Sequence, residues 1–193
     1  MELQAISKRF GDAVVLENFS LTLADGRVCL FGPSGCGKTT LMRILAGLER
    51  ADGGKVTGMT NKKIAYMFQE DRLLPWATAL ENVALVSDEK RAAKWLADLG
   101  LEDAMDKKPR ELSGGMQRRV ALARALAYEG DVLLLDEPFK GLDEELKSKA
   151  MALVKERFRG GLMILVTHDA KEAEVLAERI YYLAGPPLAL VKP

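Results

Sequence analysis

Residues Gly32, Pro33, Ser34, Gly35, Cys36, Gly37, Lys38, Thr39 and Thr40 satisfy the pattern GxxxxGK[ST] between a short apolar run and a helical segment. Glycines at this spacing let backbone N–H groups converge on phosphate oxygens at a helix N-terminus, where the dipole also favours anions. Lys38 is then placed to reach the β- and γ-phosphates of a nucleoside triphosphate, and the Thr39 hydroxyl to ligate Mg²⁺. Thr40 reads as helix packing and Cys36 as a variable position of the loop. Further along, VLLLDEPF at 132–139 sets two carboxylates at the end of an apolar run. Asp136 suits Mg²⁺ held through a water, and Glu137 suits orienting or deprotonating an attacking water; strand-end solubility and helix capping are the plainer alternative. His168 follows LMILVT and can contact a γ-phosphate if its strand lies beside the one ending in Asp136; otherwise it is a surface or core histidine. Gln69, closing KIAYMF, can ligate Mg²⁺ or position water, or simply belong to a turn.

Holding these groups together requires strands that end at a common edge. RVCLF at 27–31 feeds the glycine loop, and a helix from about 38 to 46 follows it and stops at Gly47. Residues 14–23 and the stretch near KVTGM read as strands of an antiparallel layer, and 63–68 as a further strand. Helical periodicity then dominates, which predicts an inserted α-helical subdomain at about 72–130 within a single domain spanning 1–193. The runs DVLLLDEP and GLMILVTHD flank an amphipathic helix at about 143–158. Two continuous apolar strands separated by a helix predict an α/β fold with a mainly parallel sheet buried on both faces.

Bulk properties narrow the function classes. The chain has 193 residues, 48% hydrophobic and 29% charged, enough for one substantial core. Lys plus Arg number 28 and Asp plus Glu number 28, so no net charge remains to drive non-specific nucleic-acid binding. No apolar run approaches the roughly 20 residues of a membrane helix, and the N-terminus has no apolar signal-peptide core. A cytosolic chain is expected unless a partner ties it to a membrane. Cys29 and Cys36 imply no disulfide in a reducing compartment.

The order of the pieces is more telling than any one of them. The phosphate loop, Gln69, LSGGMQRR from Leu112, LLLDEP, GLD at 141–143 and His168 together resemble the ATP-binding cassette of ABC transporters over essentially the whole chain. LSGGMQ is the most specific element. The resemblance implies a P-loop NTPase core, ATP and Mg²⁺ as cofactors, ATP hydrolysis, and a head-to-tail dimer with a second ATPase subunit. In that dimer Ser113, Gly114, Gly115 and Gln117 would meet the γ-phosphate of ATP held by Lys38 and Thr39 of the partner subunit. A helix starting near Met116 would add its positive end to the contact. From the residues alone, LSGG reads as a helix start capped by Ser113, which is compatible with that role. Phe10 falls where the family stacks an aromatic on adenine, and a core phenylalanine is the alternative. Asp143 falls in the loop through which each subunit touches the other's site, although Lys140 and Gly141 stand where the family often has Ser-Ala. Arg118 and Arg119 read as braces of the signature helix.

After Gln69, EDRLLPWATALENV looks like the ATPase subunits of bacterial importers for nitrate, sulfonate and taurine. This implies separate transmembrane permease subunits, an extracytoplasmic solute-binding protein acting indirectly, no nucleic acid, and a peripheral position on the cytoplasmic face of the cell membrane. Leu73, Leu74, Pro75 and Trp76 would build the groove for a short helix of the permease; a proline turn packed by tryptophan is the alternative. A soluble ABC-type ATPase not linked to transport usually shows a coiled-coil insertion or two cassettes, and a phosphate-loop kinase has no use for LSGG.

Overall fold

The computed structural model describes residues 1–158 and 160–191. An antiparallel layer forms first, from β1 (Glu2–Phe10) and β2 (Ala13–Thr22). The apolar run β3 (Gly26–Phe31) then enters the core and delivers the chain through the glycine loop to α1 (Lys38–Leu45). β4 (Gly53–Thr57) returns to the antiparallel layer, whose order is β2-β1-β4, and β5 (Ile64–Met67) joins the main sheet. β5 stops two residues before Gln69, which places that residue in a loop beyond the strand rather than at its last position.

The segment between β5 and β6 is helical. It carries α2 (Ala79–Ala84), α3 (Glu89–Asp98), two 3-10 turns and α4 (Gly114–Ala127). Each helix start has a local cause. Thr78 accepts from the Glu81 N–H while the Glu81 carboxylate accepts from the Thr78 N–H, Asp88 caps α3, and Ser113 caps α4. Thus α4 begins at Gly114, two residues earlier than Met116. β6 (Val132–Asp136), α5 (Glu144–Arg157), β7 (Leu162–Thr167), α6 (Ala170–Leu176), β8 (Arg179–Ala184) and the short β9 (Ala189–Leu190) complete the chain.

The main sheet runs β5-β6-β7-β3-β8-β9, parallel throughout except for β9. Alternation divides its side chains between two cores. Cys29, Leu133, Leu135, Met163 and Leu165 face the helices, whereas Val28, Leu30, Leu134, Ile164 and Val166 face α1 and the antiparallel layer. Burying one such Leu or Val contributes about 1.5–3 kcal/mol. Exposed ion pairs contribute about 0–1 kcal/mol, so these two apolar faces dominate the sheet's stability.

The strand β1 is not apparent from the sequence pattern. Ala5 has φ 48°, and the register with β2 shifts between Leu3 and Ile6. Its buried positions are consequently Leu3, Ile6 and Lys8, a spacing that breaks the period of two.

Candidate active site

Strand order decides where the candidate groups meet. β5, β6, β7 and β3 point the same way, so their C-terminal ends deliver, side by side, the Gln69 loop, Asp136 with Glu137, His168, and the glycine loop. β7 lies directly against β6 with Asp136 opposite Val166, which satisfies the adjacency that a role for His168 requires.

A cleft of about 230 Å³ at this edge is lined by Phe10, Ser34, Gly35, Gly37, Lys38, Thr39, Thr40, Gln69, Asp136 and Glu137, together with Val15 and Val166. Gly32, Pro33 and Cys36 shape the loop from behind. A Cβ on Gly32 would lie 2.4 Å from the Leu183 carbonyl oxygen, so β8 passes too close for any other residue. Gly37 stands at φ 112° immediately before α1, a conformation that L side chains resist. Lys38 is 5% exposed and its ammonium donates to the carbonyls of Gly32 at 2.7 Å and Pro33 at 2.6 Å, with the Cys36 sulfur 3.6 Å away.

The Thr39 hydroxyl donates to Asp136 Oδ2 at 2.9 Å, joining the loop to the strand-end carboxylate. Asp136 is 1% exposed, and burial raises its carboxyl above the usual range despite that hydrogen bond. A buried carboxylate beside a threonine hydroxyl is a hard oxygen pair in need of positive charge, and it fits Mg²⁺. That ion is commonly held by one or two protein oxygens, waters and substrate phosphates rather than by a cage of carboxylates. Tyr66 adds a buried hydroxyl without a hydrogen-bond partner; burial, with the negative charge of Asp136, raises its pKa.

Glu137 has φ 48°, left-handed backbone for a side-chain-bearing residue, held by its N–H donating to the Val166 carbonyl at 2.9 Å. Such strain persists only where the surroundings over-determine it, and it concentrates at functional positions. The side chain is 9% exposed. Its Oε1 lies 3.2 Å from His168 Nδ1. Oε2 has no hydrogen-bond partner, and the exposed Lys140 ammonium is 3.3 Å from it.

The signature residues lie elsewhere. Ser113 and Gly114 are exposed, and none of 113–117 lines the cleft. Space around Gly114 is open, whereas a Cβ on Gly115 would come within 3.5 Å of the Gly141 carbonyl oxygen and Leu142. The Gln117 amide donates to the carbonyls of Pro109 at 3.0 Å and Leu112 at 3.1 Å, so it ties α4 to the turn before it. Asp143 caps α5 by accepting from the Leu146 N–H at 2.9 Å. Phe10 ends β1 half-exposed at the cleft, with the Lys8 ammonium 5.0 Å from its ring centre. It is not a core residue.

Three further side chains support the site, of which the sequence reading named only Arg118, as a brace of the signature helix. Arg118 is buried across the back of the site. Lys147 of α5 pairs with Asp169, beside His168, and with Glu172 at 3.2 Å. Asn82, fully buried, accepts from the Leu74 N–H at 2.8 Å and donates to the carbonyls of Leu74, Ala77 and Thr78. This fixes the loop that leaves Trp76 69% exposed. The available signal for all three was polar residues at the spacing of an apolar helical stripe, as with Arg118, Leu122 and Leu126.

A larger cleft, about 860 Å³, lies among α3, the end of α4 and the turn before β7. It contains none of the candidate groups. Its charges are largely paired, Arg91 with Glu129 at 2.8 Å and Arg157 with Asp98 at 3.4 Å.

The family model described as ABC transporter matches residues 16–140. The aliphatic sulfonates import ATP-binding protein SsuB 3 of Paraburkholderia xenovorans is 45% identical, with 98% of this chain and 78% of the relative covered. SsuB 1 of Rhodococcus jostii is 46% identical over 95% of this chain and 78% of its own. Among solved structures, the ATP-binding cassette MJ0796, a dimer in a post-hydrolysis state bound to ADP and Pi, superposes with a TM-score of 0.85 at 33% identity, covering 95% of this chain and 94% of that one. A family match over more than half the residues, and relatives at this identity over nearly all of them, make the chain a member of the ABC transporter family.

Proposed function

We propose that this chain is the ATP-binding and ATP-hydrolysing subunit of a bacterial importer, and that two copies close head-to-tail around MgATP to drive transport. The observation that carries the reading is the junction of the glycine loop with the strand-end carboxylates: Thr39 bonded to Asp136, with Glu137 and His168 in contact beside it. Lys38 and the loop N–H groups bind phosphate, Thr39 and Asp136 hold Mg²⁺, and Gln69 lies at the same cleft. Mg²⁺, when bound, would supply positive charge to offset the phosphate charge during transfer. Glu137 accepts a proton from water, and the strained backbone together with His168 aims its carboxylate. Phe10 offers a ring face to adenine.

The cleft is smaller than the roughly 300–1,000 Å³ usual for a drug-sized ligand, as half of a shared site would be. Exposed Ser113 and Gly114, at the positive end of α4, are available to a second subunit's nucleotide. The 141–142 turn passes 3.5 Å from where a Cβ on Gly115 would stand, and this proximity supports a joint role for the signature and Asp143 in that interface. In this reading the chain is one ABC ATPase domain with a helical subdomain inserted at 72–130. Trp76 and its neighbours present the surface for separate membrane subunits. No helix among the described residues is long and apolar enough to cross a membrane, so a peripheral position at the cytoplasmic face would depend on those subunits. The curated relatives named above suggest sulfonates as cargo.

Phosphate release from MgATP, measured with and without EDTA, tests the enzymatic core: Mg²⁺-dependent turnover is expected, and its absence would overturn the proposal. Co-expression with the permease subunits of a sulfonate importer should bring it to the membrane fraction, and Trp76→Ala should weaken that association. Equal recovery of both proteins would reject the docking surface.

A further inference from the structure

Arg118 sits one turn into α4 and is 4% exposed, yet its guanidinium reaches six acceptors on two other elements. Nη1 donates to the carbonyls of Phe68 and Gln69, both at 3.0 Å, and to Asp71 Oδ1 at 2.8 Å. Nη2 donates to the carbonyls of Asp136 at 2.8 Å and Glu137 at 2.5 Å, and Nε to that of Pro138 at 3.2 Å. All three nitrogens, and so the whole planar fork, are engaged. Lysine, with a point charge and three donors, cannot reproduce it.

A buried guanidinium needs one counter-ion and a few acceptors to be tolerated. Here Asp71 supplies the counter-charge, and the remaining bonds go to main-chain oxygens of the two segments that carry Gln69 and Glu137. The Phe68, Gln69, Glu137 and Pro138 oxygens lie just beyond β5 and β6, and the Asp136 oxygen is on the last residue of β6, so the guanidinium gathers the main chain where the two strands end. On the other side, Arg118 belongs to the helix whose first residues are Gly114 and Gly115. One side chain therefore connects the exposed signature to the Gln69 loop and to the strained Glu137 peptide.

We propose that Arg118 is a positioning residue for hydrolysis: it holds the Gln69 and Glu137 main chains in register with α4, so that a contact at Ser113–Gly115 is transmitted to the group facing the attacking water. This inference rests on the ATPase reading above. Arg118 hydrogen-bonds no residue of the glycine loop, and at Asp136 and Gln69 it meets the main-chain carbonyls rather than the side chains, so nucleotide binding should change little with it.

The test compares Arg118→Lys, Asp71→Asn and their double variant with the parent protein, reading kcat and KM for ATP, equilibrium affinity for a fluorescent ATP analogue with Mg²⁺, and Tm. Arg118→Lys should lower kcat about 10- to 100-fold while KM and analogue affinity stay within about two-fold, since preorganised geometry governs turnover more than binding. Asp71→Asn should give a smaller loss of the same kind. The double variant should be less than multiplicative, because both changes loosen one network. Parental kcat in a folded Arg118→Lys protein would overturn the proposal, as would losses of kcat and affinity that move together. If Arg118→Lys does not fold, Asp71→Asn decides by the same criteria. A parent protein with no ATP turnover would instead sink the ATPase reading.

Discussion

Replacing Glu137 with glutamine isolates its proton-accepting role, because the shape is retained and only the acid–base function is lost. The packing cost is small: no volume is removed, and the backbone strain at φ 48° is unchanged. Electrostatic cost is also small. Among the described residues the lysine at salt-bridge distance from Glu137 is Lys140, whose side chain is 61% exposed, and such a pair contributes about 0–1 kcal/mol. At roughly 2–4 °C per kcal/mol for a chain of this size, Tm should move by no more than about 4 °C. Catalysis should suffer far more. A positioned general base contributes about 10²- to 10⁴-fold, equivalent to roughly 2.7–5.4 kcal/mol of barrier. Lys38, Thr39 and the loop N–H groups are untouched, so MgATP affinity should change less than about three-fold. Phosphate release gives kcat, a nucleotide titration gives affinity, and gel filtration with MgATP should show a dimer that persists. Turnover within about three-fold of the parent, at normal affinity, would refute the assignment of Glu137 to the attacking water.

Other substitutions probe separate parts of the site. Ser113→Ala removes a cap whose bond to the Met116 N–H is 3.3 Å long, so it should cost only about 0.5–1 kcal/mol of stability. It should leave nucleotide affinity of the isolated subunit unchanged while lowering turnover more than about ten-fold; a parallel fall in that affinity would rule out a role across the dimer. Asp136→Asn should raise the Tm of the nucleotide-free protein at pH 7. Its folded-state carboxyl lies above the unfolded value through burial, so the ionised form subtracts stability as pH climbs from the ordinary carboxylate range through the folded value. Melts at pH 7 and near pH 4 should show the advantage shrinking in acid, while Mg²⁺-dependent turnover is lost; a lower Tm at pH 7 would contradict the cost of burying that charge. Gly32→Ala would force a Cβ to within 2.4 Å of the Leu183 carbonyl, costing about 1–3 kcal/mol and several degrees of Tm together with nucleotide affinity. An unchanged Tm would show that β8 yields freely.

Much of this molecule is written locally. The glycine loop, the caps at Asp88, Ser113 and Asp143, and the apolar strands around the two carboxylates depend on residues within a few positions of one another, so type and spacing suffice to place them. β1 escaped that logic because a left-handed Ala5 shifts its register and interrupts the alternation. Tertiary structure alone decided the lateral order β5-β6-β7-β3, which differs from chain order and brings Gln69, Glu137, His168 and the loop to one edge. It likewise decided that Gln117 spends its amide donors within its own subunit, and that Arg118 faces main-chain oxygens 18 to 50 residues away in sequence. Strand order and the destinations of long polar side chains follow from how apolar faces pack across distant parts of the chain. A linear pattern records that a residue is polar or apolar, but not which distant backbone will stand opposite it.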